Sequence, residues 1–500
     1  MSMNFSFDHM RGSLRSSSPA RPEPQAPFRV LLVGDFSARA SRNEAPALSG
    51  RSPLPADIDT FDALFSRLAP RVALATGTDH AAALAIASLD DFHPDAIYRR
   101  VDVFEAMRTL RARLMNPATS AAAAAEIRAS AAPAASAIVE PKPMEAPATP
   151  HSEFEALLGE RRAAKATPAS SMLDALIRDL VAPHVVPAAA DDLPALVATV
   201  DAAIASAMRR ILRDPAFAAL ESTWRAVHEC ITRLELSEDL TLSVLDATRA
   251  DLAADLATNG GQHLSRILVE GPRSTAGGHP FSLICLLDRL GASDADAALA
   301  GGLAVVAAAS GAALLADACP SLLGVSSLAS SPRPEQWTQP ASEAWSLVRS
   351  LPEAASLGLV LPRPLARLPY GAATDAIDAF AFEERLAPTD AASAADRAAG
   401  LPFAFAAPFA AITLARQFTD NGWMLDAGSG GEVESLPVLI DTTGPDRHAR
   451  PTAEAFLTDS AANALLDRGL IPLVSIQHRD AARIPRLVSV RGTKLAASWA

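Results

Sequence analysis

The residues best suited to chemistry in this chain lie between positions 361 and 384. Leu361-Pro362-Arg363-Pro364-Leu365-Ala366-Arg367-Leu368-Pro369-Tyr370-Gly371 is followed by Phe380-Ala381-Phe382-Glu383-Glu384. Two arginines, a tyrosine and a carboxylate pair stand on a segment stiffened by prolines, each of which fixes its own φ and restricts the residue before it. Such a group suits either an active-site rim or an assembly joint. Adjacent residues point in different directions on a helix or strand, so Glu383 and Glu384 do not naturally share one proton. A salt-bridge or interface role fits them better than acid–base catalysis.

A catalytic site would need partners elsewhere, and the chain supplies few. It has no G-x-x-x-x-G-K-[ST] phosphate loop and no G-x-S-x-G nucleophile elbow. Gly428-Ser429-Gly430-Gly431 follows no clear strand and lacks the fingerprint spacing, so it reads as a turn. The ten histidines are scattered, with neither an H-x-x-x-H pair nor a His/Cys cluster at ligand spacing. His93 stands beside Asp91 and Asp95, where helix capping by the aspartates with an incidental histidine is a simpler reading than a metal site. No catalytic, cofactor-binding or metal-binding residue is assigned, and the chain is expected not to be an enzyme.

At 500 residues the chain has room for roughly two to four domains, and 49% hydrophobic residues are ample for buried cores. The net charge of −13 argues against a general nucleic-acid binder, which would present a basic face. Arginines are dense at 207–213 and 479–491, but with two tyrosines and 5% aromatics the stacking platforms of single-strand binders are missing. Cys230, Cys285 and Cys319 are odd in number, far apart and set among apolar residues. They read as buried small hydrophobes in a reducing compartment. Met1–Arg29 has no apolar core of a signal peptide. Gly301–Leu315 is too short and too rich in Ala and Gly to span a bilayer, and Asp294, Asp296 and Asp317 bracket it, so a buried helix is expected. These features predict a cytoplasmic protein without membrane insertion.

The elements that must carry these residues alternate between strand and helix, which predicts an α/β fold with mixed sheets flanked by helices. Residues 1–27 are Ser-, Arg- and Pro-rich and read as a flexible segment. A first unit, 28–116, opens with a strand at Phe28–Val33 that stops at Gly34-Asp35. It continues through a helix from Asp59, its N-cap, to Leu68, a strand at Ala83–Ile86, and a helix with the stripe Val103, Phe104, Met107, Leu110 and Leu114. Residues 117–168 read as an Ala/Pro-rich linker with one or two short helices. The second unit, 169–500, begins with an amphipathic helix at Ser171–Leu180, then a helix at Leu193–Leu212. Asp214-Pro215 starts another, carrying the stripe Phe217, Leu220, Trp224, Val227 and Ile231, with Glu221 and Arg225 paired on its solvent side. Leu240–Val244 alternates like a half-buried strand, with a helix from about Thr248 after it. Phe281–Leu287 reads as a strand buried on both faces, residues 293–318 as one or two helices, and Leu357–Leu361 and Leu470–Ile476 as further strands.

Taken in order, these motifs resemble the contractile sheath of the type VI secretion system. The first unit is similar to the small sheath subunit, through Gly34-Asp35-Phe36-Ser37, Asp59-Thr60-Phe61 with Leu68-Ala69-Pro70, Asp90-Asp91-Phe92-His93-Pro94-Asp95 and Leu110-Arg111-Ala112-Arg113-Leu114. The second resembles the large subunit over nearly all of 169–490. The motifs there are Asp214-Pro215-Ala216-Phe217, Leu220-Glu221-Ser222-Thr223-Trp224-Arg225, Gly278-His279-Pro280-Phe281, Pro320-Ser321-Leu322-Leu323-Gly324, Trp345-Ser346-Leu347-Val348-Arg349, Phe409–Trp423 and Arg468-Gly469-Leu470-Ile471-Pro472-Leu473. The stretch from Pro362 to Gly371 is the most specific of them.

The resemblance implies a fusion, small subunit before large, with a phage tail sheath-like architecture built from two intertwined units. It implies self-assembly with other sheath subunits around an inner-tube protein, baseplate contacts, contraction that drives effector delivery, and disassembly by an AAA+ unfoldase whose binding helix corresponds to Ser171–Leu180. Trp224 would anchor its helix, and Arg363 and Arg367 would pair with Glu383 or Glu384 through the planar guanidinium. Arg225, Pro369, Tyr370 and Gly371 belong to the same structural and assembly set. The large-subunit part looks shortened at its C-terminal end, so a non-polymerising cap, adaptor or assembly factor is the alternative expectation.

Overall fold

The computed structural model describes residues 21–74, 82–131, 192–274, 278–338, 342–385, 398, 400–441 and 448–500. The first unit opens with β1 (Phe28–Gly34) and the two-residue β2 (Leu54–Pro55). Next come α1 (Phe61–Leu68) and the antiparallel pair β3 (Arg71–Leu74) and β4 (Ala82–Ala85). Asp59 does not cap α1. The turn before it is held by Asp57, whose carboxylate accepts the Thr60 amide at 2.7 Å and the Thr60 hydroxyl at 2.8 Å. The next helix, α2 (Pro94–Arg100), is capped by the histidine that had been read as incidental: His93 Nδ1 accepts the Asp95 amide at 3.2 Å. Asp91 is committed elsewhere, to Arg100 at 2.6 Å and the Ala87 amide at 2.6 Å.

The expected stripe of α3 (Asp102–Met115) is buried as a set. Alanine favours helix, and Ser120–Ala131 forms α4, which buries Ala123, Ala124 and Ile127 against α3. The packed body of the first unit therefore runs beyond 116, into the stretch expected to be linker. The rest of that stretch, and the helix expected at Ser171–Leu180, lie outside the described residues.

The second unit contributes α5 (Leu193–Leu212) and α6 (Pro215–Arg233), the latter capped by Asp214 through the Ala216 and Phe217 amides. They are followed by β5 (Leu240–Asp246), α7 (Arg249–Thr258), β6 (Leu283–Leu290), α8 (Asp294–Ser310), β7 (Ala313–Ala318), α9 (Glu343–Ser350) and β8 (Leu357–Leu361). Then come α10 (Ala407–Asn421), β9 (Ser429–Val433) and α11 (Asp459–Asp467). Two expectations are corrected here. β5 is buried on both faces, not one, because helices cover both sides of the sheet. Ala313–Ala318 is a strand, not the end of a helix: Gly311 at φ 85° closes α8, and the chain re-enters the sheet as a fully buried strand. Local alanine preference yields there to tertiary context.

One sheet organises these elements. Its order is Ile471–Pro472, β8, β7, β6, β1, β5, β2, and all pairings are parallel except that of β2. Among the described residues, β1 is the one strand of the first unit in its interior. It pairs with β5 along one edge, Phe28 opposite Leu240, and with β6 along the other, Val30 opposite Leu283. Phe28, Val30 and Leu32 face one core, with Trp224 of α6 and Phe409 of α10; Leu31 and Val33 face the other, with α8 and α9. The result is a helix–sheet–helix sandwich whose two units are intertwined. A second sheet joins β9 to Ala482–Arg486 and Val474–Ser475. The glycine run read as a turn thus enters a strand, where a Cβ on Gly430 would collide with the Ile484 carbonyl.

Cys230 and Cys285 are buried and Cys319 is partly exposed; all three are free thiols. Among the described residues no helix is long and apolar enough to cross a membrane.

At the carboxyl end of β7, Asp317 is fully buried and holds the start of α10. Its Oδ1 accepts the amides of Ala406 at 2.9 Å and Ala407 at 2.8 Å. Burial pushes its carboxyl up to about 7, against the pull of these amides and of Arg289 and Arg363.

Two outcomes follow. A protease site inserted between positions 150 and 151 and then cut should leave the two fragments comigrating on native size exclusion, because β1 is hydrogen-bonded on both edges; separation would contradict the shared sheet. Asp317 binds its proton more tightly in the folded chain than in the unfolded one, where its pKa is about 4. Its stabilising contribution is therefore full below about pH 4 and lost as pH rises through about 7. In urea denaturation, the stability of Asp317→Asn relative to wild type should rise between about pH 5 and about pH 8; a constant difference would refute the assignment.

Candidate functional site

The proline-rich segment leaves the sheet at the end of β8, through a cis Leu361–Pro362 bond. Its prolines have no amide to donate, and the remaining groups are stitched to two other strands of chain. Leu365 N donates to Thr452 O at 2.8 Å, Ala366 N to Pro402 O at 2.8 Å, and Pro364 O accepts Ala404 N at 2.8 Å.

Arg363 faces Glu454. Its Nε donates to Oε1 at 2.9 Å and its backbone amide to Oε2 at 3.1 Å, while the guanidinium lies 5.1 Å from the Phe403 ring centroid. Arg367 is the centre of a buried ion cluster. Its Nε donates to Glu221 Oε1 at 2.7 Å and its Nη1 to Glu384 Oε2 at 2.7 Å. Arg367 is 8% exposed, Glu221 3% and Glu384 2%, so the three charges are almost wholly out of water. The guanidinium also stacks on Tyr370, 3.9 Å from its centroid. Arg225 Nε reaches Glu221 Oε1 at 2.9 Å, which gives two cations for two carboxylates.

The electrostatics follow from this geometry. Burial works to raise the Glu221 pKa, but Arg367 and Arg225 outweigh it and hold the carboxyl below its usual value. Burial likewise works to lower the Arg367 pKa, and Glu221, Tyr370 and Glu384 together raise it. Burial pushes the Tyr370 hydroxyl up to about 12.

The remaining residues shape the turn around this cluster. Glu384 Oε2 also accepts the Tyr370 amide at 2.8 Å, and the Glu384 amide returns to Tyr370 O at 2.9 Å. Pro369 O accepts the Thr374 hydroxyl. Glu383 is exposed and turned the other way, taking the Ala372 amide at 3.0 Å; a side chain on Gly371 would strike its carboxylate. Trp224 is fully buried and stacked on Phe65 at 3.7 Å, and its indole donates to Phe36 O at 3.0 Å. It thus ties α6 to two aromatic residues of the first unit.

The structure brings together Arg367, Tyr370, Glu384 and Arg225, and sets Arg363 apart with Glu454. Sequence reasoning missed Glu454 and placed Glu221 on the solvent side of α6. The signal for Glu221 was present: it lies four residues after Phe217 and three before Trp224, on the buried stripe itself. Among the described residues no group of three His, Cys, Asp or Glu side chains is placed to hold a metal ion. The buried cluster pairs its charges with one another, a geometry that positions chain segments.

Arg367→Met strands Glu384 in the core and should lower stability by about 3–5 kcal/mol in urea denaturation. Replacing Glu221, Arg367 and Glu384 together by Leu, Met and Leu should recover most of that loss. Arg363→Met should cost less, since Arg363 is more exposed and water screens its pair. A cost for Arg367→Met no greater than that for Arg363→Met would contradict the buried cluster.

Two family models match the chain. The one described as EvpB/VC_A0108, tail sheath N-terminal domain, matches residues 194–490. The one described as type VI secretion system, VipA, VC_A0107 or Hcp2, matches residues 17–132. The chain is similar to the type VI secretion system sheath protein TssC1 of Pseudomonas aeruginosa, 29% identical over 353 residues that cover 66% of this chain and 69% of that protein. It is also similar to the sheath protein TssB1 of the same organism, 31% identical over 103 residues that cover 19% of this chain. The chain spans 59% of the length of TssB1. β1, α3 and Trp224's aromatic partners fall in the first matched segment, and the Arg367 cluster falls in the second. The chain belongs to the tail sheath family of the type VI secretion system and carries a small-subunit segment and a large-subunit segment in one polypeptide.

Proposed function

We propose that the protein is a structural subunit of a type VI contractile sheath in which the small and large subunits are covalently joined. Copies assemble with one another into a helical sheath around an inner-tube protein, seated on baseplate components in the cytoplasm. Contraction of the sheath drives the tube and its effectors outward, and an AAA+ unfoldase disassembles the contracted form. The role is mechanical and not catalytic.

The observation that carries this reading is the placement of β1. A strand from the small-subunit segment lies between two strands of the large-subunit segment, so one chain supplies the composite sheet. In this reading Trp224 locks the two segments together. Arg225, Arg363, Arg367, Pro369, Tyr370, Gly371, Glu383 and Glu384 form a stiff joint beside the sheet. Stiff subunits let a change in packing between neighbours act over the whole assembly, since packed interfaces switch between discrete states.

Negative-stain microscopy of the purified full chain, alone and with the inner-tube protein, tests the reading. Long tubules with a cogwheel cross-section are expected. Monomers or small rings at every concentration, with the inner-tube protein present, would overturn it.

A further inference from the structure

At the carboxyl ends of β6 and β8, against the first turns of α6, lies a cavity of about 440 Å³. In open parallel sheets this is the side on which ligands bind. Three arginines line it: Arg213 after α5, Arg289 in β6 and Arg363 after β8. Two carboxylates line it as well, but Glu221 is held by Arg367 and Arg225, and Glu384 by Arg367. Arg363 is matched by Glu454. Asp317, the acid that acts on Arg289 and Arg363 from behind, spends its oxygens on the Ala406 and Ala407 amides.

Asp317 offsets part of this charge without hydrogen-bonding to it, and Arg213 is the cation left without a carboxylate. Among the described residues, Arg213 donates to the Glu384 carbonyl at 3.3 Å and has no carboxylate partner. Among the described residues, the buried Arg289 Nε has no hydrogen-bond partner. Buried donors in folded proteins are nearly always satisfied, so an orphan N–H in a cavity wall points to something that occupies the cavity. The fork of a guanidinium matches phosphate and carboxylate oxygens in two-point contacts.

We propose that this cavity binds a small oxyanion bearing phosphate or carboxylate groups, held between Arg213 and Arg289. The ligand would bridge the α5–α6 corner and the carboxyl end of β6. The proposal stands on the cavity and its charges, independently of the sheath assignment.

The test is thermal unfolding of the full chain with inorganic phosphate or citrate, at ionic strength matched with sodium chloride. At least one of the two anions should raise the unfolding midpoint of the wild type in a saturable way, and which one does so identifies the preferred group. Arg289→Gln and Arg213→Gln should each weaken the apparent affinity about tenfold or more. Arg349→Gln, which alters another arginine with an unpartnered Nε outside this cavity, should leave it unchanged. An equal shift in all four proteins, or no saturable shift with either anion, overturns the proposal. Should the pocket variants fail to fold, NMR of the two anions titrated separately into the wild type decides, phosphorus for phosphate and proton for citrate: saturable broadening of either supports the site, and its absence with both overturns it.

Discussion

The structure depends on one strand of the first unit lying at the centre of a sheet built mainly by the second. β1 offers amides and carbonyls along both edges, and burial on both faces denies them water. Only β5 and β6 can satisfy them, and both lie more than two hundred residues later in the chain. Removing β1 would expose two strand edges and open both cores, since its side chains are divided between them. Each of those side chains is worth about 1.5–3 kcal/mol when buried. The two segments are consequently one folding body, whatever lies between them.

The contacts around β1 reinforce that unity with direction. Trp224 fills the space between α6 and the first unit and adds one hydrogen bond, to Phe36 O, that fixes its angle. Arg367 does the equivalent for the segment after β8. A guanidinium donates in a single plane, and here two of its edges are used, one toward Glu221 on α6 and one toward Glu384. An apolar cluster of the same volume would hold these parts as firmly, but with less control over register. That control suits a subunit whose neighbours must all meet the same surface.

Much of this was legible in the residues. β1 reads as a strand because a continuous apolar run ends at Gly34-Asp35, and α6 reads as a helix because Asp214-Pro215 precedes a clean stripe. Of the expected pairings of Arg363 and Arg367 with Glu383 or Glu384, Arg367 with Glu384 is present, while Arg363 pairs with Glu454 instead. What could not be read was register across long separations. Nothing local to Arg363 names Glu454, and nothing local to β1 names Leu240 or Leu283. Local preference also misled where tertiary context won. Ala313–Ala318 has a helical composition and a strand's position, and Gly428–Gly431 has a turn's composition in a place where a neighbouring backbone excludes any side chain at Gly430. Glu221 was legible and misread: its charge suggested solvent while its spacing placed it in the core.

The measurement that bears most directly on a single composite body is native-state hydrogen exchange of the full chain. Amides in the middle of β1, such as Leu31 and Val33, should exchange only through the same global opening as their neighbours in β5 and β6, with equal protection and equal sensitivity to denaturant. Faster exchange of β1 while β5 and β6 stay protected would mean that the small-subunit segment opens by itself, and would contradict the account.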